Sequence, residues 1–110
     1  MNDVSLTVRL PDDLDKQLKA TSKALGFTKT NMIRLSIHEY LDPSTLDDLK
    51  EVVSKYGGDR HRLVLNINQL TYDILEKLSI EHDVSINHLL IYSSAKSLEH
   101  YSKLLKKLEQ

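Results

Sequence analysis

Two short stretches of the sequence, residues 5–10 and 62–68, alternate between apolar side chains and side chains that can exchange hydrogen bonds with a ligand. Successive side chains of a β-strand point to opposite faces, so each stretch predicts a strand with one apolar face and one contact-making face. Guanidinium, amide and hydroxyl groups dominate the second face. Its positions are Ser5, Thr7, Arg9, Arg62, Val64 and Asn66.

Each predicted strand is followed by two predicted amphipathic helices. In the first copy, Pro11 stands where a helix begins, and carboxylates at positions 12, 13 and 15 occupy its first turn, where the helix dipole favours them. Apolar residues then recur at three- and four-residue spacing as far as Gly26, which predicts a helix of about 12 to 14 residues. Thr28 is a typical N-cap and predicts the start of a second helix.

The order strand, helix, helix occurs twice. Identity between the two copies is low, so the repeat rests on the pattern of residue types and on their spacing. A shift of 57 positions superimposes the copies, placing Leu10 on Ile67, Gly26 on Asp83, Thr28 on Ser85 and Ile33 on Leu90.

The segment between the copies predicts one additional helix. Asp42 and Pro43 precede it, a Gly57-Gly58 pair follows it, and apolar residues lie between at helical spacing. The predicted organisation is a first motif over residues 1–41, a linker with an amphipathic helix over 42–60, and a second motif over 61–110 with an extended C-terminal helix.

The last helix carries its apolar stripe almost to the C-terminus, beyond the point at which its counterpart in the first copy stops. Such a stripe predicts an interface with another molecule, here self-association or a protein partner. The candidate oligomerisation residues are Leu98, Tyr101, Leu105 and Leu108.

Each copy alone has only about 40 to 45 residues, which is near the lower limit for an independent core, and a lone strand has no hydrogen-bonding partner. Pairing the two strands meets both needs. We therefore predict a mainly α fold with one two-stranded antiparallel ribbon, packed on four helices as an intrachain pseudo-dimer. The sequence leaves open whether the ribbon forms within one chain or between two.

A two-stranded ribbon fits the major groove of DNA, where Arg can address guanine, Asn adenine, Ser or Thr either base, and a Val methyl the thymine methyl. A solvated sheet face is the alternative interpretation. Helix N-termini at Thr28 and Ser85 add a second signal, because their free N–H groups favour phosphate. Lys29 and the basic run 60–62 concentrate positive charge there, although the formal net charge is −1.

These features resemble the ribbon-helix-helix family of transcriptional repressors, the Arc and MetJ type, here in two copies. The resemblance is carried by "TVRLPDDL" and "LGFTKTNMI" in the first copy and "LVLNINQL" and "DVSINHLL" in the second. It implies base contacts from the six polar-face positions, and phosphate contacts from Thr28, Lys29, Ser85 and Ile86. The two-copy form resembles regulators of archaeal viruses. Two departures are the unlike strands, which favour an asymmetric site, and the apolar Val64 at a usually polar position.

Other chemistry is disfavoured by composition. The 110 residues include no cysteine, and the five histidines lack i,i+4 pairing with one another, so we expect no metal, no cofactor and no catalytic residue. The acidic first turn is explained by the helix dipole rather than by a cation site. Neither a signal peptide nor an apolar span is evident, which predicts a cytoplasmic location, in the host cytoplasm if the protein is viral.

The leading functional hypothesis is therefore a sequence-specific regulator of transcription, a repressor, that binds a double-stranded DNA operator. The alternative is an antitoxin-like or scaffold protein that holds a protein partner with its C-terminal helix. No small-molecule effector is evident from the sequence.

Overall fold

A computed structural model of the chain describes residues 3–42 and 46–109. These residues form five helices, which account for 66% of them, and one two-stranded antiparallel sheet. The prediction of a mainly α fold with one two-stranded antiparallel ribbon is confirmed. The elements in chain order are β1 (Asp3–Pro11), α1 (Asp12–Leu25), α2 (Lys29–Tyr40), α3 (Leu49–Ser54), β2 (Arg60–Asn68), α4 (Gln69–His82) and α5 (Ile86–Leu108).

The two strands pair with each other within the chain. Their register runs from Asp3 opposite Asn68 to Pro11 opposite Arg60, with Thr7 opposite Val64 at the centre. The alternation expected from the sequence is present, because the inward side chains are buried or half-buried while the side chains between them are exposed. The inward apolar side chains are Val4, Leu6, Val8, Leu10, Leu63, Leu65 and Ile67.

The core lies between the apolar face of the ribbon and the helices. Helix α5 is its central element, since its residues 89–95 are all buried. It packs against α2, and there the hydroxyl oxygens of Ser36 and Ser93 lie 2.9 Å apart, both fully buried. Each hydroxyl also has a carbonyl acceptor on its own helix, that of Ile33 and Leu90 respectively. Two small polar side chains therefore allow the helices to approach closely.

The two helix-to-helix turns have the same backbone geometry. Gly26 and Asp83, which are 57 positions apart, both adopt the left-handed conformation, with φ of 81° and 52°. In each turn the next residue donates its N–H back to a serine carbonyl, Phe27 to Ser22 and Val84 to Ser79. This is the hydrogen-bond pattern of a left-handed helix C-cap. The turns fix where α2 and α5 begin.

The connecting helix is shorter than the sequence predicted. Helix α3 has only six residues, and Pro43, expected at its start, lies outside the described residues. Its N-cap residue, Asp48, accepts hydrogen bonds from Lys96 (2.6 Å) and Tyr92 (2.7 Å) of α5. The bonds from Lys96 and Tyr92 lower the pKa of the Asp48 carboxyl, and burial raises the pKa of the Tyr92 hydroxyl. The linker is thus fastened to the core helix.

The C-terminal stripe is partly used by the chain itself. Leu98 is 5% exposed and belongs to the core, so it cannot offer the intermolecular surface proposed for it from the sequence. Tyr101 is half-buried and makes an edge-to-face contact with Phe27, with ring centroids 6.4 Å apart. Leu105 is also half-buried, whereas Leu108 is 72% exposed. Only the end of the stripe is free for another molecule.

We expect Ser36→Leu to lower the free energy of unfolding by about 1 to 3 kcal/mol, because the larger side chain overfills the contact between α2 and α5. Urea unfolding followed by circular dichroism measures this. Ser36→Ala should cost about 1 kcal/mol or less, since Ser93 keeps the Leu90 carbonyl as acceptor. Equal stability of the wild type and Ser36→Leu would contradict the close packing described here.

Candidate nucleic-acid interface

The six side chains predicted to make polar contacts lie together on the outer side of the ribbon. All six are exposed, including Val64 at 54%, and no part of the described chain covers them. We call this surface the outer face. Its three cross-strand pairs are Ser5 with Asn66, Thr7 with Val64, and Arg9 with Arg62.

Cross-strand pairs in an antiparallel sheet are either hydrogen-bonded or non-hydrogen-bonded, and the contacts of Arg9 with Asn87 show which kind these are. The side-chain amide of Asn87 accepts from the Arg9 N–H (2.8 Å) and donates to the Arg9 carbonyl (3.0 Å). Both backbone groups of Arg9 therefore point away from β2, which makes Arg9 and Arg62 a non-hydrogen-bonded pair. Pair type alternates along a strand, so all three pairs of the outer face are of this kind. Their Cα atoms are about 4.5 Å apart, the closer of the two spacings.

One end of the outer face is cationic. Arg9 and Arg62 are directly opposite each other. Arg60 lies two residues before Arg62 on β2 and therefore on the same face. None of the three has a carboxylate partner among the residues that the structure describes. Like charges in directly opposed positions repel each other. This end is therefore prepared for a ligand with anionic groups or strong hydrogen-bond acceptors.

The other end of the outer face carries neutral polar groups. The Ser5 hydroxyl donates to Asn66 Oδ1 across the strands at 2.8 Å. Arg34 of α2 donates from Nε to the Asn66 carbonyl (2.9 Å) and from Nη1 to Asn31 Oδ1 (2.7 Å). The Asn66 backbone and side chain are thus both held in place. The two ends of the ribbon differ in charge and in chemistry.

A helix N-terminus lies beside each end of the ribbon. Thr28 Oγ1 accepts from the N–H of Asn31 (3.1 Å), and Ser85 Oγ accepts from the N–H of His88 (3.0 Å), so both predicted N-caps are present. The N–H groups of the first two helical residues remain without an intrahelical partner. Asn87 joins the start of α5 to the arginine end. The contact from Arg34 to Asn31 joins the start of α2 to the other end.

The side chains at two of the predicted phosphate contacts, Lys29 and Ile86, are engaged within the chain itself. The Lys29 ammonium lies 2.5 Å from Asp15 Oδ1, with the side chains 20% and 12% exposed, so this carboxylate balances its charge. The charge that Lys29 adds beside Thr28 is therefore shared with Asp15, and a phosphate contact from Lys29 stays a prediction. Ile86 is half-buried against the core, which leaves its backbone N–H as the group able to bind phosphate.

Sequence reasoning missed Asn87 and Arg34, the side chains that hold the ribbon's edges. Asn87 is the second residue of α5 and Arg34 lies in the middle of α2, but nothing in their spacing shows that they reach a strand of the sheet. Asn87 lies on α5 and bonds to β1, 78 residues away in the chain, so only the tertiary structure brings them together.

A metal-site grouping and a membrane-spanning helix are both absent from the described residues. In ranges 3–42 and 46–109, no three His, Asp or Glu side chains are grouped as a metal site would require. Over the same ranges no helix combines the length and apolarity needed to cross a bilayer. No family model, curated protein or solved structure matches this chain. The functional inference therefore rests on the geometry of the ribbon and of the two helix N-termini.

We expect Asn87→Ala to speed hydrogen exchange of the Arg9 amide roughly fivefold, because a net hydrogen bond of about 1 kcal/mol is lost at this edge. Exchange measured residue by residue by NMR tests this. The matched control is Thr30→Ala at the equivalent position of the first copy, which should leave the Arg9 amide unchanged. An unaltered Arg9 amide in Asn87→Ala would contradict the pair type assigned to the outer face.

Proposed function

We propose that this protein is a sequence-specific regulator of transcription that binds double-stranded DNA and represses by occupying its operator. The ribbon enters the major groove with its outer face towards the bases. The observation that carries the proposal is the outer face itself, six exposed side chains on a two-stranded ribbon that the described chain leaves uncovered.

The dimensions and the chemistry of the ribbon support this proposal. Paired strands lie about 4.8 Å apart, and the major groove is about 12 Å wide, so a ribbon with its side chains fits. Arg9 and Arg62 suit guanine, and Asn66 suits adenine. Thr7 and Val64 bring methyl groups to the centre of the ribbon, where thymine methyls can meet them.

The helix N-termini supply phosphate contacts without a basic surface. Starting at Thr28 and Ser85, the free N–H groups of α2 and α5 bind anions through hydrogen bonds and the helix dipole. They lie beside the two ends of the ribbon and are suited to the phosphates that flank the groove. This arrangement is compatible with a formal net charge of −1.

We further propose that the chain is a tandem ribbon-helix-helix protein in which two unlike copies form a pseudo-dimer. Three facts support this. Thr7 and Val64, separated by 57 positions, are cross-strand partners. Ser36 and Ser93, with the same separation, touch where α2 meets α5. Gly26 and Asp83, again at this offset, share the left-handed conformation. Equivalent residues meet each other in this way when two copies are related by a twofold axis.

A second candidate role, self-association or binding of a protein partner, has one observation in its favour. Leu104 and Leu108, one turn apart near the end of α5, are 39% and 72% exposed. Two exposed leucines on the same side of a helix can pack against another chain. This surface is distant from the outer face, so the role is compatible with DNA binding.

We expect Arg9→Ala to weaken binding to the selected operator roughly 5- to 150-fold, the effect of losing one bidentate contact of about 1 to 3 kcal/mol, and to relax sequence preference. Gel-shift titrations on operator and scrambled duplexes measure both effects. Lys106→Ala is the charge-matched control. It lies on α5 about 28 Å beyond Asn87 at about 1.5 Å per residue, and should change neither quantity. Unchanged affinity and preference in Arg9→Ala would show that the outer face does not read DNA.

For the C-terminal surface, we expect the double substitution Leu104→Glu and Leu108→Glu to abolish self-association without unfolding the chain, since both side chains are exposed. Light scattering with and without operator DNA gives the assembly mass. Lys106→Glu is the control for added negative charge. If the wild type, the double variant and Lys106→Glu all have the same assembly mass, the exposed leucines have no role in self-association.

A further inference from the structure

We infer that the ribbon reads a directional, non-palindromic sequence, with G·C pairs at the Arg9–Arg62 end, A·T pairs at the centre, and adenine at the Asn66 end. This inference rests on the proposed DNA-binding function. It goes further by assigning an order of bases along the site and an orientation of the protein on the duplex.

Hydrogen-bond donors are distributed unevenly along the outer face. If the two copies were identical, each end of the ribbon would present the same residues. Here the position equivalent to Arg9 is Asn66, and the position equivalent to Ser5 is Arg62. Antiparallel pairing therefore collects both arginines at one end and the Ser5–Asn66 pair at the other. The chemical difference between the ends follows directly from the register.

The arginine end of the outer face presents two guanidinium groups. A guanidinium is a donor only, and guanine offers two acceptors, O6 and N7, in the major groove. Arg9 and Arg62 form a close cross-strand pair and lack carboxylate partners in the described part of the chain. Guanine acceptors would offset the repulsion between the two cations, whereas the exocyclic amino groups of adenine and cytosine would place donor against donor. This end therefore favours neighbouring G·C pairs.

The amide end of the outer face holds the Asn66 side chain in one orientation. Adenine is read by an amide that accepts from N6 and donates to N7, so the orientation of the amide matters. The Ser5 hydroxyl donates to Asn66 Oδ1, which places the oxygen on the Ser5 side and leaves Nδ2 as the free donor. Arg34 holds the Asn66 backbone through its carbonyl. Ser5 is thus a positioning residue for Asn66, and this end favours adenine.

The two ends of the ribbon are joined to different helices, which gives the base order a direction relative to α2 and α5. Asn87 ties the start of α5 to Arg9, and the Arg34–Asn31 contact ties the start of α2 to Asn66. The phosphates beyond the G·C flank therefore lie against α5, and those beyond the adenine flank lie against α2. The protein has one defined orientation on its site.

Tethered cleavage tests this orientation, because the chain contains no cysteine. Lys23→Cys and Ile80→Cys are equivalent exposed positions at the ends of α1 and α4, just before the turns that lead into α2 and α5. Each variant, labelled with iron-EDTA, is bound to duplexes selected from a random pool. We expect Ile80→Cys to cleave only beyond the G·C flank and Lys23→Cys only beyond the adenine flank.

Two further measurements test the base assignment. Replacing guanine by 7-deazaguanine in the G·C flank removes N7 and should weaken wild-type binding about tenfold or more, with no comparable effect in the adenine flank. Arg62→Lys keeps the charge but loses the bidentate fork, so it should lower discrimination at the G·C flank while largely preserving affinity for unrelated duplexes.

The outcomes separate this inference from the proposed function. The directional inference is supported if the selected sites are non-palindromic and each cysteine variant cleaves only the flank expected for it. Selection of palindromes, cleavage of both flanks by each variant, or the reverse orientation would overturn it and leave DNA binding standing. Absence of binding to any duplex would overturn the proposed function, and the directional inference with it.

Discussion

The antiparallel pairing of β1 with β2 is the interaction on which the rest of the structure depends. Each strand alone would leave its backbone groups unpaired and its apolar side chains without a partner. Paired, the strands present Val8, Leu10, Leu65 and Ile67 to the helices and the polar side chains to the outside. A shift of the register by one residue would reverse these faces, so burial of the apolar face also fixes which residues are exposed.

The helices pack against the apolar face of the ribbon and also bond to the edges of its strands. The contact of Ser36 with Ser93 brings α2 and α5 together in the core, and the left-handed turns at Gly26 and Asp83 direct the starts of both helices to the ribbon. From there, Asn87 and Arg34 bond to the strand edges. These bonds occupy the N–H and carbonyl of Arg9 and the carbonyl of Asn66, edge groups that would otherwise be open to pairing with another strand. The same contacts carry the helix N-termini to the two ends of the outer face.

Much of this arrangement could be predicted because it depends on local periodicity. The alternating stretches, the helix of residues 12–25 and the caps at Thr28 and Ser85 all agree with the structure. The departures involve contacts between distant segments. Lys29 is neutralised by Asp15 of the preceding helix, Leu98 is taken into the core, and the linker helix is reduced to six residues. No spacing rule within one segment shows which distant side chain will meet another.

The sequence by itself determined the elements and their faces, because a strand of period two and a helix of period 3.6 impose their patterns residue by residue. It also determined that the two alternating stretches carry different polar side chains. Only the tertiary structure decided that the strands pair within one chain, in a register that sets Arg9 against Arg62 and Ser5 against Asn66. That register is the joint outcome of backbone bonding, burial of one face and the approach of α2 to α5, each of which involves residues far apart in the chain.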